Sequence, residues 1–200
     1  MKFKILFVLL LNSVLFSSAK VDNTAPGFTL KNEYGELVSL SDFSGKTVIL
    51  EWTNHECPFV KRHYETENMQ SLQKEYTAND VVWLSIISSA PNKQGHVSNQ
   101  ESIKLTADRN ASPTHVLFDT DGEVGKKYSA KTTPHMYIID SNETLRYDGA
   151  IDDLGMTGAL FNTDLSLAKN YVRLAMNSIA DNKEIVDKKT RPYGCSIKYP

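Results

Sequence analysis

Two hydrophobic periodicities alternate along this chain. Residues 47–52 and 81–87 are short and nearly continuously apolar, the pattern of strands covered on both faces of a sheet. Between them Phe59, Val60, Tyr64, Met69, Leu72 and Tyr76 recur at mostly helical intervals, which predicts a helical pattern directly after the first of these strands. Residues 28–30 and 37–40 read as an N-terminal β-hairpin around Asn32-Glu33-Tyr34-Gly35. Further strands are expected at 116–118 and 136–139, with 144–147 pairing beside the latter through a Ser141-Asn142 turn. A helix is expected near 98–106, and Ala168, Tyr171, Val172, Ala175 and Ile179 give a helical stripe over 165–179. This order predicts an α/β domain with a central mixed β-sheet flanked by helices.

The ends of the chain read differently from its middle. Lys2 and Lys4 precede the apolar residues 5–11, then Val14-Leu15-Phe16, then the small residues Ser17-Ser18-Ala19. That is the layout of a secretory signal peptide over 1–19, too short and interrupted for a membrane span, with a retained anchor as the alternative. The expectation is export, to the periplasm. Residues 20–181 then form one domain, and residues 182–200 a charged C-terminal extension without helical periodicity that carries Cys195.

Charge excludes one class of function. The chain holds 22 basic and 24 acidic residues, and loss of Lys2 and Lys4 with the signal peptide takes the net charge from -2 to about -4. No broad basic field of the kind nucleic-acid binding uses is present. There is no GxGxxG or Walker-type loop and no serine nucleophile elbow, so no cofactor is called for. Trp52, Phe59, Trp83 and Tyr137 lie in strand or helix patterns where core burial already explains them.

Chemistry concentrates at Asn54-His55-Glu56-Cys57-Pro58. Cys57 stands between a predicted strand and a predicted helix, where free backbone N–H groups and the helix dipole favour thiolate, and Pro58 suits the first helical turn. Only one other cysteine exists, Cys195, and Val60 stands where a local Cys-x-x-Cys couple needs its second sulfur. Three arrangements stay open on the sequence: a redox bond between Cys57 and Cys195, a static bond, or two sulfurs that never meet. His55 and His135 are candidates for the active face because imidazole titrates near neutral pH, whereas His63 reads as a surface or packing residue. Glu51 and Glu56 could tune the thiol, and Lys61 and Arg62 fit a solvated helix face. Cys57, His55 and His135 also permit a copper or zinc reading, but their spacing is not that of a metal site, and no metal is assigned.

The chain resembles the thioredoxin-like superfamily, and within it the redoxin or AhpC/TSA (alkyl hydroperoxide reductase, thiol-specific antioxidant) group. The resemblance rests on Ala25-Pro26-Gly27-Phe28, residues 54–60, residues 118–124, Thr132-Thr133-Pro134-His135 with the strand after it, residues 147–153 and Gly194-Cys195-Ser196. It implies a thioredoxin-like fold in which Cys57 is the nucleophile, Thr133 and a cis Pro134 form the substrate-facing loop, and Asn54, His55, Pro58 and His135 shape the site. Two departures stand out: Leu50 and Asn54 replace the proline and the Thr or Ser that precede a peroxidatic cysteine. The resemblance therefore implies an exported thiol oxidoreductase acting on a thiol- or disulfide-containing protein or small molecule, resolved by Cys195 or an external thiol. A thiol peroxidase and a non-enzymatic copper- or partner-binding module are the alternatives.

Overall fold

The structure, a computed structural model, describes residues 18–161, 164, 165 and 167–200. The signal-peptide reading of 1–19 lies outside the described residues apart from Ser18 and Ala19. In chain order the elements are β1 (Thr29–Asn32), β2 (Leu37–Ser39), a 3-10 turn (Leu40–Phe43), β3 (Val48–Trp52), α1 (Pro58–Glu65), α2 (Asn68–Thr77), β4 (Val82–Ile87) and α3 (Asn99–Asp108). They continue with β5 (His115–Phe118), α4 (Glu123–Lys127), β6 (Thr132–Thr133), β7 (His135–Ile139), β8 (Leu145–Gly149), α5 (Gly155–Phe161), α6 (Tyr171–Ala180) and β9 (Cys195–Ser196).

Seven strands form one mixed sheet in the order β2-β1-β5-β4-β3-β7-β8. Strand β3 runs parallel to β4 and antiparallel to β7, and β1 and β2 form an antiparallel hairpin that joins the sheet through β5. The fold is thioredoxin-like, a mixed sheet flanked by helices. Period-two alternation along the central strands divides the core. Ile49, Trp83, Met136 and Ile138 pack on one face with α1, α2 and α6, while Leu50, Trp52, Leu84, Ile86 and Tyr137 pack on the other with Phe28, Val124 and Tyr128. Because both faces are covered, β3, β4 and β7 are buried at every position, which is why they read as apolar runs.

Three expectations are corrected. The helical pattern from Phe59 to Tyr76 is two helices, broken at Glu67, whose φ of 56° is left-handed. The Tyr64 carbonyl stays paired through the break, accepting the Glu67 N–H at 3.2 Å and the Gln70 side-chain amide at 2.7 Å. The five-residue step from Tyr64 to Met69 is the sequence trace of that break. The last helix begins at Tyr171 rather than at 165, because the Asn170 side chain accepts the Arg173 N–H at 2.9 Å and caps it. The short helices α4 and α5 have no counterpart among the helices expected from the sequence.

Residues 182–200 are not loose. Ile185 and Tyr193 are buried in the same core cluster as α1 and α6, and Thr190 sits so close to β8 that a Cβ built on Gly149 would lie 2.1 Å from its hydroxyl oxygen. Among the described residues no helix is long and apolar enough to cross a membrane. Leu84 is fully buried at the centre of the sheet, so Leu84→Ala is expected to cost about 2–5 kcal/mol, read as a lowered midpoint in urea at unchanged slope.

Candidate active site

Strand β3 delivers the chain to a turn in which the Cys57 N–H bonds the Asn54 carbonyl at 3.0 Å, and α1 then begins at Pro58 with Cys57 as its N-cap. Proline costs no hydrogen bond at that position, and Phe59 and Val60 bury the inner face of the first turn. The Cys57 side chain is 0 % exposed, and its thiol donates to the Thr133 carbonyl at 3.1 Å. The Thr133–Pro134 peptide is cis.

The C-terminal extension completes the site. Strand β9 pairs antiparallel with β6, setting Cys195 opposite Thr133 and Ser196 opposite Thr132. Both cysteines are free thiols, and Cys195 packs against the cluster that holds Cys57. Burial pushes the Cys195 thiol up to about 12, and a hydrogen bond with Cys57 and the charge of that sulfur push the same way. Cys195 is therefore a protonated thiol at neutral pH, set beside the cluster that holds Cys57. The approach needs glycine at 194, whose φ is +132°: a Cβ there would stand 2.0 Å from the same Thr133 carbonyl oxygen.

Two buried histidines brace this arrangement from behind. His135 follows Pro134, but strand alternation turns its ring to the sheet face opposite α1, against Tyr137 with ring centroids 4.5 Å apart. Its Nε2 lies 2.9 Å from Asp148 Oδ1, and its Nδ1 accepts the Lys131 N–H at 3.3 Å. Burial lowers the His135 pKa against the pull of Asp148, so the neutral ring donates from Nε2. Burial pushes Asp148 upward, but hydrogen bonds from His135 and Lys189 outweigh it and hold the carboxyl below its ordinary range. His135 thus supports the loop that carries Pro134 and does not face the thiol.

His63 is buried inside α1, the packing rather than the surface side of the sequence reading. Asn68 donates to its Nδ1 at 2.8 Å, its Nε2 lies 3.2 Å from the Tyr193 hydroxyl, and that hydroxyl donates to Asp152 Oδ1 at 2.5 Å. Donor by donor, the chain runs Asn68 to His63 to Tyr193 to Asp152 and ties the extension to the domain two residues before Cys195. Burial, aided by Arg62, lowers His63 to about 4, and burial raises Asp152.

The remaining candidates lie around the rim. Asn54 is buried, but its side chain is committed to the Glu56 N–H at 2.9 Å and the Gln94 carbonyl at 3.4 Å. His55 is half-buried and lines a cavity of about 40 Å³ together with Thr53, Tyr64, Ser85 and Arg109. Its Nδ1 has no hydrogen-bond partner among the described residues, and burial lowers its pKa. Glu56 accepts the Gly95 N–H at 2.7 Å, and Lys61 is exposed. Glu51 is fully buried and accepts from Tyr64, Gln73, Trp83 and Ser85; burial raises its pKa against those bonds. Among the described residues no group of three or more His, Cys, Asp or Glu side chains is placed to hold a metal ion.

Sequence reasoning missed Gly194, Tyr193, Asp152, Asp148 and Tyr199. The first signal was available, since a glycine beside a cysteine in an otherwise charged tail marks a close backbone approach. The others depend on where the tail travels.

The profile of the AhpC/TSA family matches residues 21–148. Thioredoxin-like protein YneN of Bacillus subtilis (strain 168) is 29% identical over 122 residues, 61% of this chain and 66% of that protein. The alignment thus spans just under two thirds of this relative. Among solved structures, a hypothetical protein of Sinorhizobium meliloti superposes with a TM-score of 0.75 at 21% identity, over 92% of this chain and 97% of its own. A putative thiol:disulfide interchange protein DsbE of Chlorobium tepidum superposes with a TM-score of 0.53 at 24% identity, over 66% of this chain and 85% of its own. At these identities the structural likenesses show the fold.

Two predictions follow from the braced geometry. Gly194→Ala is expected to lower stability by more than about 1 kcal/mol in a chemical melt, because the added Cβ and the left-handed backbone both oppose the native path. For His63 the unfolded ring binds a proton below its ordinary value of 6.5 while the folded ring stays neutral down to about 4. Its contribution is complete above 6.5 and is lost as pH falls from 6.5 toward 4, about 2 kcal/mol between pH 7 and 5. The raised carboxyls Glu51 and Asp152 act in the opposite sense, so the test is the difference between wild type and His63→Gln: the variant's stability should fall less over that interval.

Proposed function

The chain belongs to the AhpC/TSA family, and on that premise we propose that it is an exported thiol–disulfide oxidoreductase with Cys57 as nucleophile and Cys195 as resolving thiol. The observation that carries this reading is the meeting of both cysteines at Thr133, whose carbonyl accepts the Cys57 thiol and whose backbone pairs with Cys195. The cycle begins when the Cys57 thiolate attacks one sulfur of a substrate disulfide. The substrate S–S bond breaks and its other sulfur leaves as a thiolate. Cys195, losing its proton to that leaving thiolate or to solvent, then attacks the Cys57 sulfur of the mixed disulfide. The second substrate sulfur departs, and the substrate has gained two electrons while the Cys57–Cys195 bond has formed. Two equivalents of an external thiol return the pair to the reduced state and become a disulfide themselves.

The surroundings fit these steps. Cys57 is the N-cap residue of α1, the end of a helix at which negative charge is generally favoured. The high pKa of Cys195 keeps it a poor competitor for substrate until Cys57 is modified, because the thiol is nearly all protonated. Asn54 stands where the resemblance places a Thr or Ser hydroxyl before a peroxidatic cysteine, and its side-chain oxygen is taken by the Glu56 N–H. Thiol–disulfide exchange is therefore favoured over the peroxidase reading. No cofactor is required by the scheme. Export and a periplasmic site follow from the signal-peptide pattern and agree with a disulfide-permitting compartment.

The test is turnover of a peptide disulfide with a small thiol as reductant. Cys57→Ser should abolish turnover, and Cys195→Ser should accumulate a mixed disulfide on Cys57. Undiminished turnover in Cys57→Ser would refute the assignment.

A further inference from the structure

Cys57 has no exposed surface, yet the proposed chemistry requires an external disulfide to reach it. Cys195 of the C-terminal extension packs against the cluster that holds it, and the extension crosses there as a strap held on both sides. On the near side Thr190 bonds the Ala150 N–H at 2.9 Å and the Tyr147 hydroxyl at 2.6 Å, and Tyr193 bonds Asp152. On the far side the Ile197 N–H donates to the Lys131 carbonyl at 3.1 Å and the Ala90 N–H to the Lys198 carbonyl at 2.9 Å. Tyr199 ends this run with its hydroxyl donating to the Ala130 carbonyl at 2.8 Å. Its side chain lies against α4 where two glycines stand: a Cβ built on Gly122 would come 2.3 Å from the ring and one on Gly125 2.7 Å from the ring and 2.3 Å from the hydroxyl. The near anchors belong to the buried core; on the far side Ile197 packs against the core face that holds Val124 and Tyr128, and beyond it the run is held by single backbone bonds and this one seated ring.

We propose that Tyr199 is the latch of the strap, a positioning residue whose ring, seated against Gly122 and Gly125, holds Cys195 opposite Thr133 and keeps Cys57 closed to external disulfides. Release of the ring frees residues 194–199 to peel from β6, which exposes both the Cys57 sulfur and the β6 edge that β9 covers. Reseating returns Cys195 to the mixed disulfide. The strap thus makes attack on a bulky disulfide and internal resolution successive states of one segment. The inference deepens the oxidoreductase reading and rests on it for the second step only; the closure of Cys57 stands apart from catalysis.

The experiment has two arms. In a Cys195→Ser background, alkylation of Cys57 by a maleimide is timed with Tyr199, Tyr199→Ala, Tyr199→Phe and Gly125→Ala. Tyr199→Ala should raise the rate at least about tenfold, and Gly125→Ala should do the same by evicting the ring while suiting the helix. Tyr199→Phe, which keeps the seated ring and loses one hydrogen bond, should stay within about threefold of the parent. In the second arm, with both cysteines present, the equilibrium between the internal disulfide and glutathione should shift at least about tenfold toward the dithiol in Tyr199→Ala, because the effective concentration of Cys195 at Cys57 falls. Unfolding would speed alkylation in every variant in step with its melting midpoint, and Tyr199→Phe rescue separates that from unlatching. Equal alkylation rates across the set would overturn the latch. A wild-type protein that forms no internal disulfide would instead overturn the resolving role of Cys195 while leaving the alkylation arm decisive.

Discussion

One carbonyl organises this molecule's chemistry. The Thr133 oxygen accepts the Cys57 thiol at 3.1 Å and lies where only a glycine, Gly194, can pass, while Thr133 itself pairs with Cys195. Three segments far apart in sequence therefore meet at one backbone group: the start of α1, the loop before β7 and the C-terminal strap. Any change that moves Thr133 moves the relation between the two sulfurs. The cost of that dependence is met by the supports behind it, since His135 with Asp148 fixes the loop and His63 with Tyr193 and Asp152 fixes the strap.

Those supports show how burial is used here. His63 and His135 are kept neutral by desolvation, so each acts as an oriented donor and acceptor within a hydrogen-bond chain rather than as a charge. Neither is free to exchange protons with a substrate at the thiol. The same logic applies to Glu51, whose four donors compensate a carboxylate that would otherwise be costly on the buried face of β3. Polar groups inside this core specify positions, and the proton traffic of exchange is left to the sulfurs and their substrate.

How much of this is legible in the sequence depends on the range of the contact. The strand-to-helix turn at Cys57 is local: apolar residues 47–52, then Pro58, then a helical stripe. The central strands are legible for a related reason, since burial on both faces leaves a continuous apolar run. The break at Glu67 was hidden because a glutamate, not a glycine or asparagine, takes the left-handed position there. His135 was expected on the active face because it follows Pro134, but alternation sends Met136 and Ile138 to that side and His135 with Tyr137 to the other. The path of residues 182–200 is the least legible element, because isolated residues such as Ile185, Tyr193 and Tyr199 fix it by entering pockets built from remote segments. Gly122 and Gly125 show their part only when Tyr199 is seen lying against them.

The central claim is that Cys57 and Cys195 form one redox couple, and the most direct measurement is peptide mapping of the protein after oxidation with glutathione disulfide under non-reducing conditions. The account predicts a single intramolecular linkage joining the Cys57 peptide to the Cys195 peptide, reversed by excess thiol without loss of fold. Two separate glutathione adducts, with no linked peptide at any ratio of oxidant, would contradict it.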